Sequence, residues 1–175
     1  MRRTVVATAV LIASVLAASQ AQAPPMAGPE HKRLAYFAGT WNFSGTAKDT
    51  PMGAGGPITF KQTCELMDGG FAVTCRSDGK SPMGPVKSVS IMGYDADKKA
   101  YTYTAAESNS PVISALGQTE GTTWNWRSEM SMGGPQKIFT RVTVKEGGPK
   151  AYDFLMEISM DGKKFMPLVE GKATR

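Results

Sequence analysis

Few side chains in this sequence can do chemistry, and their types and spacing exclude most of it. The one histidine, His31, stands beside Lys32 and Arg33. A nucleophilic triad needs a histidine within hydrogen-bond reach of a serine or cysteine, and such a basic run is read as the solvated side of a helix. The two cysteines, Cys64 and Cys75, lack the C-x-x-C spacing of redox and zinc motifs. They flank Asp68-Gly69-Gly70, a turn signal because glycine reaches positive φ without steric cost. With Gly69-Gly70 as the turn residues the cysteines face each other directly, and a slip of one position makes them diagonal. A cross-strand disulfide is expected, the alternative being two small buried thiols. Acid–base work needs a positioned proton donor and acceptor, but Glu65, Asp153 and Glu157 fall on the polar phase of their segments, and Glu107 and Glu120 lie in or near turns. Glu170 alone alternates with apolar residues, Met166 and Leu168. No catalytic residue is assigned, and the chain is read as a non-enzyme; an enzyme working in a cavity through Glu170 is the catalytic alternative.

Two further residue sets could bind rather than react. Tyr101, Tyr103, Trp124, Trp126, Tyr152 and Phe154 recur at period two, so each pair shares one face of a strand. They form either a packed core or the wall of a cavity for an apolar or planar ligand. Met52, Met83 and Met132 each sit beside Gly and Pro in a repeated loop composition. Thioethers are soft ligands suited to Cu(I), and methionine is also an adaptable filler. The loops are read as a mouth, with copper as a lesser alternative; no metal site and no cofactor is assigned.

The elements that position these residues follow from punctuation. Glycine, proline, Asp-Gly and Asp-Lys interrupt the chain every ten residues or so from Trp41 onward, with β-branched and aromatic residues between. That pattern predicts about ten short strands in a sandwich or barrel, at 41–48, 58–67, 71–77, 86–94, 100–106, 112–119, 122–128, 137–145, 151–160 and 164–172. Ahead of them, residues 30–37 read as a helix with Pro29 at its start and Gly39 past its end. Gly39-Thr40-Trp41 is the hinge from helix to strand. In an up-and-down meander successive loops alternate between the two ends. The three methionine loops then share one rim with the loop 107–111, while most of the tight turns share the other end with the helix. Leu34, Phe37, Gly39 and Trp41 become the barrel floor.

Residues 1–21 carry Arg2 and Arg3, an uncharged run over 5–18 and the small-residue site Ser19-Gln20-Ala21, the layout of a secretory signal peptide. Cleavage after Ala23 is the alternative, hindered by Pro24. The apolar run is shorter than the ~20 residues a bilayer span needs, so no membrane span follows removal. Residues 22–29 are read as a linker and 30–175 as one domain, in keeping with the length. The leader's loss leaves 18 basic against 15 acidic residues, a formal charge of +3. The lysines are scattered without a basic stripe, which excludes nucleic acid as a partner.

Three motifs carry a resemblance. Gly39-Thr40-Trp41 resembles the G-x-W element of lipocalins. With Gly45 it is closer to the bacterial calycin-type barrels of the domain-of-unknown-function family 1579 and, more distantly, the nitrobindins. Met92 to Thr102 is similar to that family's G-Y-D-x-x-x-K-x-Y hairpin, and Ser159-Met160-Asp161-Gly162-Lys163 to its S-x-D-G-K turn. The resemblance implies an all-β, lipocalin-like up-and-down barrel plugged by a short helix, and no established activity. Nitrobindins hold haem through a histidine late in the barrel; here that histidine is missing, which removes that mode of haem binding. The combined reading is an exported, periplasmic or secreted, non-catalytic barrel that binds a small apolar or amphipathic molecule. An envelope-structural or interaction barrel with a filled interior is the alternative. Oligomeric state is left open.

Overall fold

The computed structural model describes residues 26–50, 53–131 and 136–175. The signal peptide expected over 1–21 and two of the three mouth methionines, Met52 and Met132, lie outside those residues. A short helix α1 (Pro29–Arg33) runs into a 3-10 turn (Leu34–Phe37), followed by ten strands: β1 (Gly39–Ala47), β2 (Gly56–Leu66), β3 (Ala72–Ser81), β4 (Gly84–Asp95), β5 (Ala100–Glu107), β6 (Ser110–Glu120), β7 (Thr123–Ser131), β8 (Lys137–Glu146), β9 (Ala151–Ser159) and β10 (Met166–Thr174). Each strand pairs antiparallel with its neighbours in sequence, and β1 closes the ring on β10, with Asn42 opposite Thr174. Closure removes the unpaired edges that would otherwise invite association. The all-β up-and-down barrel of ten strands, with a short helix at one end, is therefore the architecture. Among the described residues no helix is long and apolar enough to cross a membrane.

Local chemistry explains the sharpest features. Gly69 and Gly70 have φ of 84° and 75°, the left-handed conformation that a tight hairpin needs and that glycine adopts without penalty. The turn fixes the register so that Cys64 lies opposite Cys75, and the two form a disulfide. In β6, Ser114 and Gly117 interrupt the apolar pattern, yet the strand is complete. Gly117 is required there because a Cβ in its place would come within 2.5 Å of the Trp126 ring.

Two expectations need correction. A register shift between Pro167 and Val169 breaks the alternation of β10. As a result Ala173 turns inward and Glu170 outward, where it pairs with Lys48. A bulge inserts one residue and reverses the phase beyond it, so Glu170 does not reach the interior. Two of the rim loops are also shorter than their composition suggested. Only Pro82 and Met83 separate β3 from β4, and only Ser108 and Asn109 separate β5 from β6.

Candidate functional site

One end of the barrel is sealed by aromatic packing. Leu34 and Phe37 are buried, and Trp41 is 1% exposed. The Trp41 indole donates a hydrogen bond to the Phe37 carbonyl at 2.8 Å and lies 4.9 Å from the Tyr152 ring. This bond ties the 3-10 turn to the first strand, so the helix is held by the residue that follows the Gly39 hinge. Phe37 meets Trp124 edge to face at 4.9 Å. Beneath these rings sit two cations, Arg33 over Trp124 at 5.1 Å and Arg175 over Trp41 at 4.4 Å. Arg33 also donates to the Gly121 carbonyl and approaches Glu146 at 3.4 Å, and Glu146 accepts the Trp124 indole N–H at 2.7 Å.

His31 belongs to the same seal. It is half-buried, its ring lying 5.0 Å from Phe71 and 5.6 Å from Tyr94, both edge to face, and its Nδ1 accepts the Gly28 N–H at 3.3 Å. The expectation of a solvated histidine is corrected: the ring docks α1 against the tight-turn end.

Above the floor the barrel is hollow. A cavity of about 430 Å³ is lined from Phe37 upward by residues of all ten strands. That volume lies within the ~300–1,000 Å³ range of small-molecule sites. Its rings include Phe43, Phe60, Tyr103, Trp126, Tyr152 and Phe154, and its softer wall includes Met92, Met130, Met156 and several valines. Phe43 and Phe60 stack on each other at 4.5 Å, and Phe154 meets Phe43 edge to face at 5.5 Å. The mouth carries Met83, 74% exposed, together with Lys80, Glu107 and Asn109.

Of the six aromatic candidates, Tyr103, Trp126, Tyr152 and Phe154 line this cavity. Tyr101 and Trp124 are buried one layer lower, in contact with each other at 4.8 Å. Trp124 thus meets Phe37 and the Arg33 guanidinium instead of the cavity. Met83 is the mouth methionine within the described residues. Phe37, assigned to the floor on sequence grounds, also forms the base of the cavity. The methionines inside, Met92, Met130 and Met156, escape sequence reading because a methionine on an inward strand position looks like ordinary core.

Polar groups in the cavity wall are mostly paired with one another. Gln62 donates to Ser77 at 3.2 Å, and Ser128 bonds Thr140. At the rim, Ser110 donates to Glu107 at 3.1 Å. Burial pushes the Tyr103 phenol upward from its ordinary pKa, and pushes the Tyr152 phenol upward as well. Both are therefore neutral donors at any physiological pH.

A second concavity lies outside the barrel over β5 to β9, bordered by Thr102, Leu116, Arg127, Arg141 and Glu157. It is a broad open depression, and its central polar pair is already engaged. Arg141 binds Glu157 through two bonds of 2.8 and 2.9 Å, holding the carboxyl below the usual carboxylate range. The interior cavity is the candidate site, because it is enclosed by apolar surface with few polar groups.

The family profile described as Protein of unknown function (DUF1579) matches residues 26–175. The chain belongs to that family. The match covers the whole barrel of this DUF1579 chain together with its plug. No curated protein sequence matches it significantly. Among solved structures, Rv2717c from M. tuberculosis superposes with a TM-score of 0.58 at 8% identity, covering 86% of this chain and 99% of that one. The S-type phycobiliprotein lyase CPES from Guillardia theta gives a TM-score of 0.54 at 10% identity, covering 83% and 90%. At such identities the likeness is one of fold.

Proposed function

We propose that this DUF1579 chain is a non-catalytic binding protein that holds a small, mainly apolar molecule inside the barrel, admitted through the rim opposite the helical plug. The observation that carries this reading is the cavity of about 430 Å³. A ring of ten strands whose side chains filled the interior would suit a purely structural or interaction role. Here, small residues such as Ala115 and Ser88 line the cavity between the rings. Apolar surface left in a cavity gains by meeting a ligand at roughly 25 cal/mol per Å² removed from water, while the floor holds its shape without one. The absence of catalysis is part of the same reading. Glu170 faces solvent with Lys48, and His31 is wedged between two rings.

Export belongs to the proposal as well. It rests on the Cys64–Cys75 disulfide, since such bonds persist in oxidising compartments, and on the charged and apolar layout of residues 1–21. Native mass spectrometry of the protein taken from its own compartment tests both parts. A retained small molecule on a chain that starts at residue 22 or 24 is the expected result. A chain that keeps its leader and is uniformly empty would contradict it.

A further inference from the structure

A ligand entering the barrel meets two kinds of polar group. One kind is already satisfied within the wall, as Gln62 with Ser77 and Ser128 with Thr140. These pairs offer a ligand little, because any new bond must compete with an existing one. Tyr152 is different. It is 6% exposed, it lines the cavity, and its hydroxyl has no hydrogen-bond partner among the described residues. Its ring is fixed between Trp41 at 4.9 Å and Phe37 at 6.3 Å, so the hydroxyl cannot swing out to bulk water. The oxygen is not sealed off as an orphaned buried atom, so it opens onto the cavity that Tyr152 lines. A donor that opens onto a cavity without a protein partner is available to a ligand.

The surroundings define the chemistry of that partner. Among the described residues the charged side chains lining the cavity are Lys80 and Glu107, both at the rim ends of their strands. Among the described residues no cation lines the cavity at the depth of Tyr152. Arg33 lies under Trp124, engaged with Gly121 and Glu146, and Arg175 lies over Trp41 with its bonds on Ala38 and Pro149. A carboxylate or phosphate carried to this depth would be an uncompensated buried charge. A phenol donates more readily than it accepts, because its oxygen lone pair is delocalised into the ring. The aromatic wall of Phe154, Trp126 and Tyr103 suits a ring system.

We propose that the Tyr152 hydroxyl is the deep anchoring subsite of the barrel, donating a hydrogen bond to a neutral acceptor, such as a ketone, aldehyde or quinone carbonyl, on an aromatic or conjugated ligand. This rests on the cavity being a ligand site, and it narrows the ligand class from apolar molecules in general to neutral carbonyl-bearing ones. Burial keeps the Tyr152 proton in place, so the anchor does not titrate in the physiological range.

The test uses two neutral fluorescent probes on the mature protein and on Tyr152→Phe, which keeps the ring. 6-Propionyl-2-dimethylaminonaphthalene carries a ketone, and its emission shifts to the blue when the ketone loses a hydrogen-bond donor. N-phenyl-1-naphthylamine has no carbonyl. The expected result is that the ketone probe binds Tyr152→Phe about three- to tenfold more weakly, the value of one hydrogen bond, with bluer bound emission, while the amine binds both proteins equally. Equal affinity and emission of the ketone probe in both proteins would overturn the Tyr152 subsite while leaving the cavity reading intact. If neither probe bound the parent protein, the cavity reading itself would fall and the subsite with it. The melting temperature of free Tyr152→Phe is a second readout and is expected to hold or rise, since no native bond is removed. A marked fall would show the hydroxyl to be a structural bond and would overturn the proposal.

Discussion

The two ends of this barrel are built for opposite purposes. At the floor, rings touch rings and the indole N–H groups are turned onto partners. Trp41 donates to Phe37, Trp124 to Glu146, and two arginines lie flat against the indoles from below. The disulfide crosses from β2 to β3 on this side, where Cys64 is also opposite Gly39. At the mouth, the β3–β4 and β5–β6 hairpins are two residues long, residues 160–165 join β9 to β10, and Met83 stands exposed beside Lys80 and Glu107. The difference teaches that stability and access are separated along one axis. Packing that would fill a single-purpose core is concentrated in the lower layer, which leaves the layer above it free to remain empty.

If that separation is real, substitutions should sort by height. Trp41→Ala removes the largest buried ring of the hinge along with its bond to Phe37. It should cost about 3–5 kcal/mol, read by urea denaturation, and should loosen α1 to proteolysis before the barrel unfolds. Replacing Cys64 and Cys75 together by alanine opens a cross-link of sequence separation 11 and should cost about 2–3 kcal/mol. A loss of that size from a mouth substitution would break the comparison.

Smaller effects sharpen it. Glu157→Gln on the outer face removes the carboxylate held by Arg141, at a cost under about 1 kcal/mol near neutral pH for a solvent-facing pair. Because Arg141 lowers the folded-state pKa of Glu157, the parent's advantage is present above the unfolded carboxylate's range and disappears as pH falls through the folded value. Denaturation midpoints at pH 7 and at strongly acid pH should therefore diverge and converge respectively. Met83→Ser should change stability by less than about 0.5 kcal/mol, yet alter the dissociation rate of any ligand that leaves through the mouth. Stopped-flow displacement of a bound probe reads that rate.

Much of this was legible in the sequence because it depends on period and punctuation. Strand number, the sense of closure and the position of the plug follow from where glycine and proline interrupt period-two runs. The disulfide follows from the symmetry of Cys64 and Cys75 about Gly69-Gly70. What counting could not supply is depth and exception. Alternation places Tyr101, Tyr103, Trp124 and Trp126 all inward, but it does not separate layers, and the stagger of neighbouring strands decides that Tyr101 and Trp124 sit in the floor. Alternation also assumes an unbroken strand, and one bulge in β10 was enough to turn Glu170 from an interior carboxylate into a surface partner of Lys48. The solitary hydroxyl of Tyr152 is less legible still. A missing partner is a property of the finished packing, with no signature in residue type or spacing.

The central claim is that the space above Phe37 receives a ligand, and blocking that space tests it most directly. Ala115 lines the cavity on β6, so Ala115→Trp places an indole in the void while leaving the floor untouched. Titration of N-phenyl-1-naphthylamine into the parent and this variant, with circular dichroism to confirm that both are folded, should give saturable one-to-one binding to the parent and at least a tenfold loss in the variant, on the order of 1.4 kcal/mol. Undiminished binding to a folded Ala115→Trp protein would place the probe on the outer surface and contradict the account.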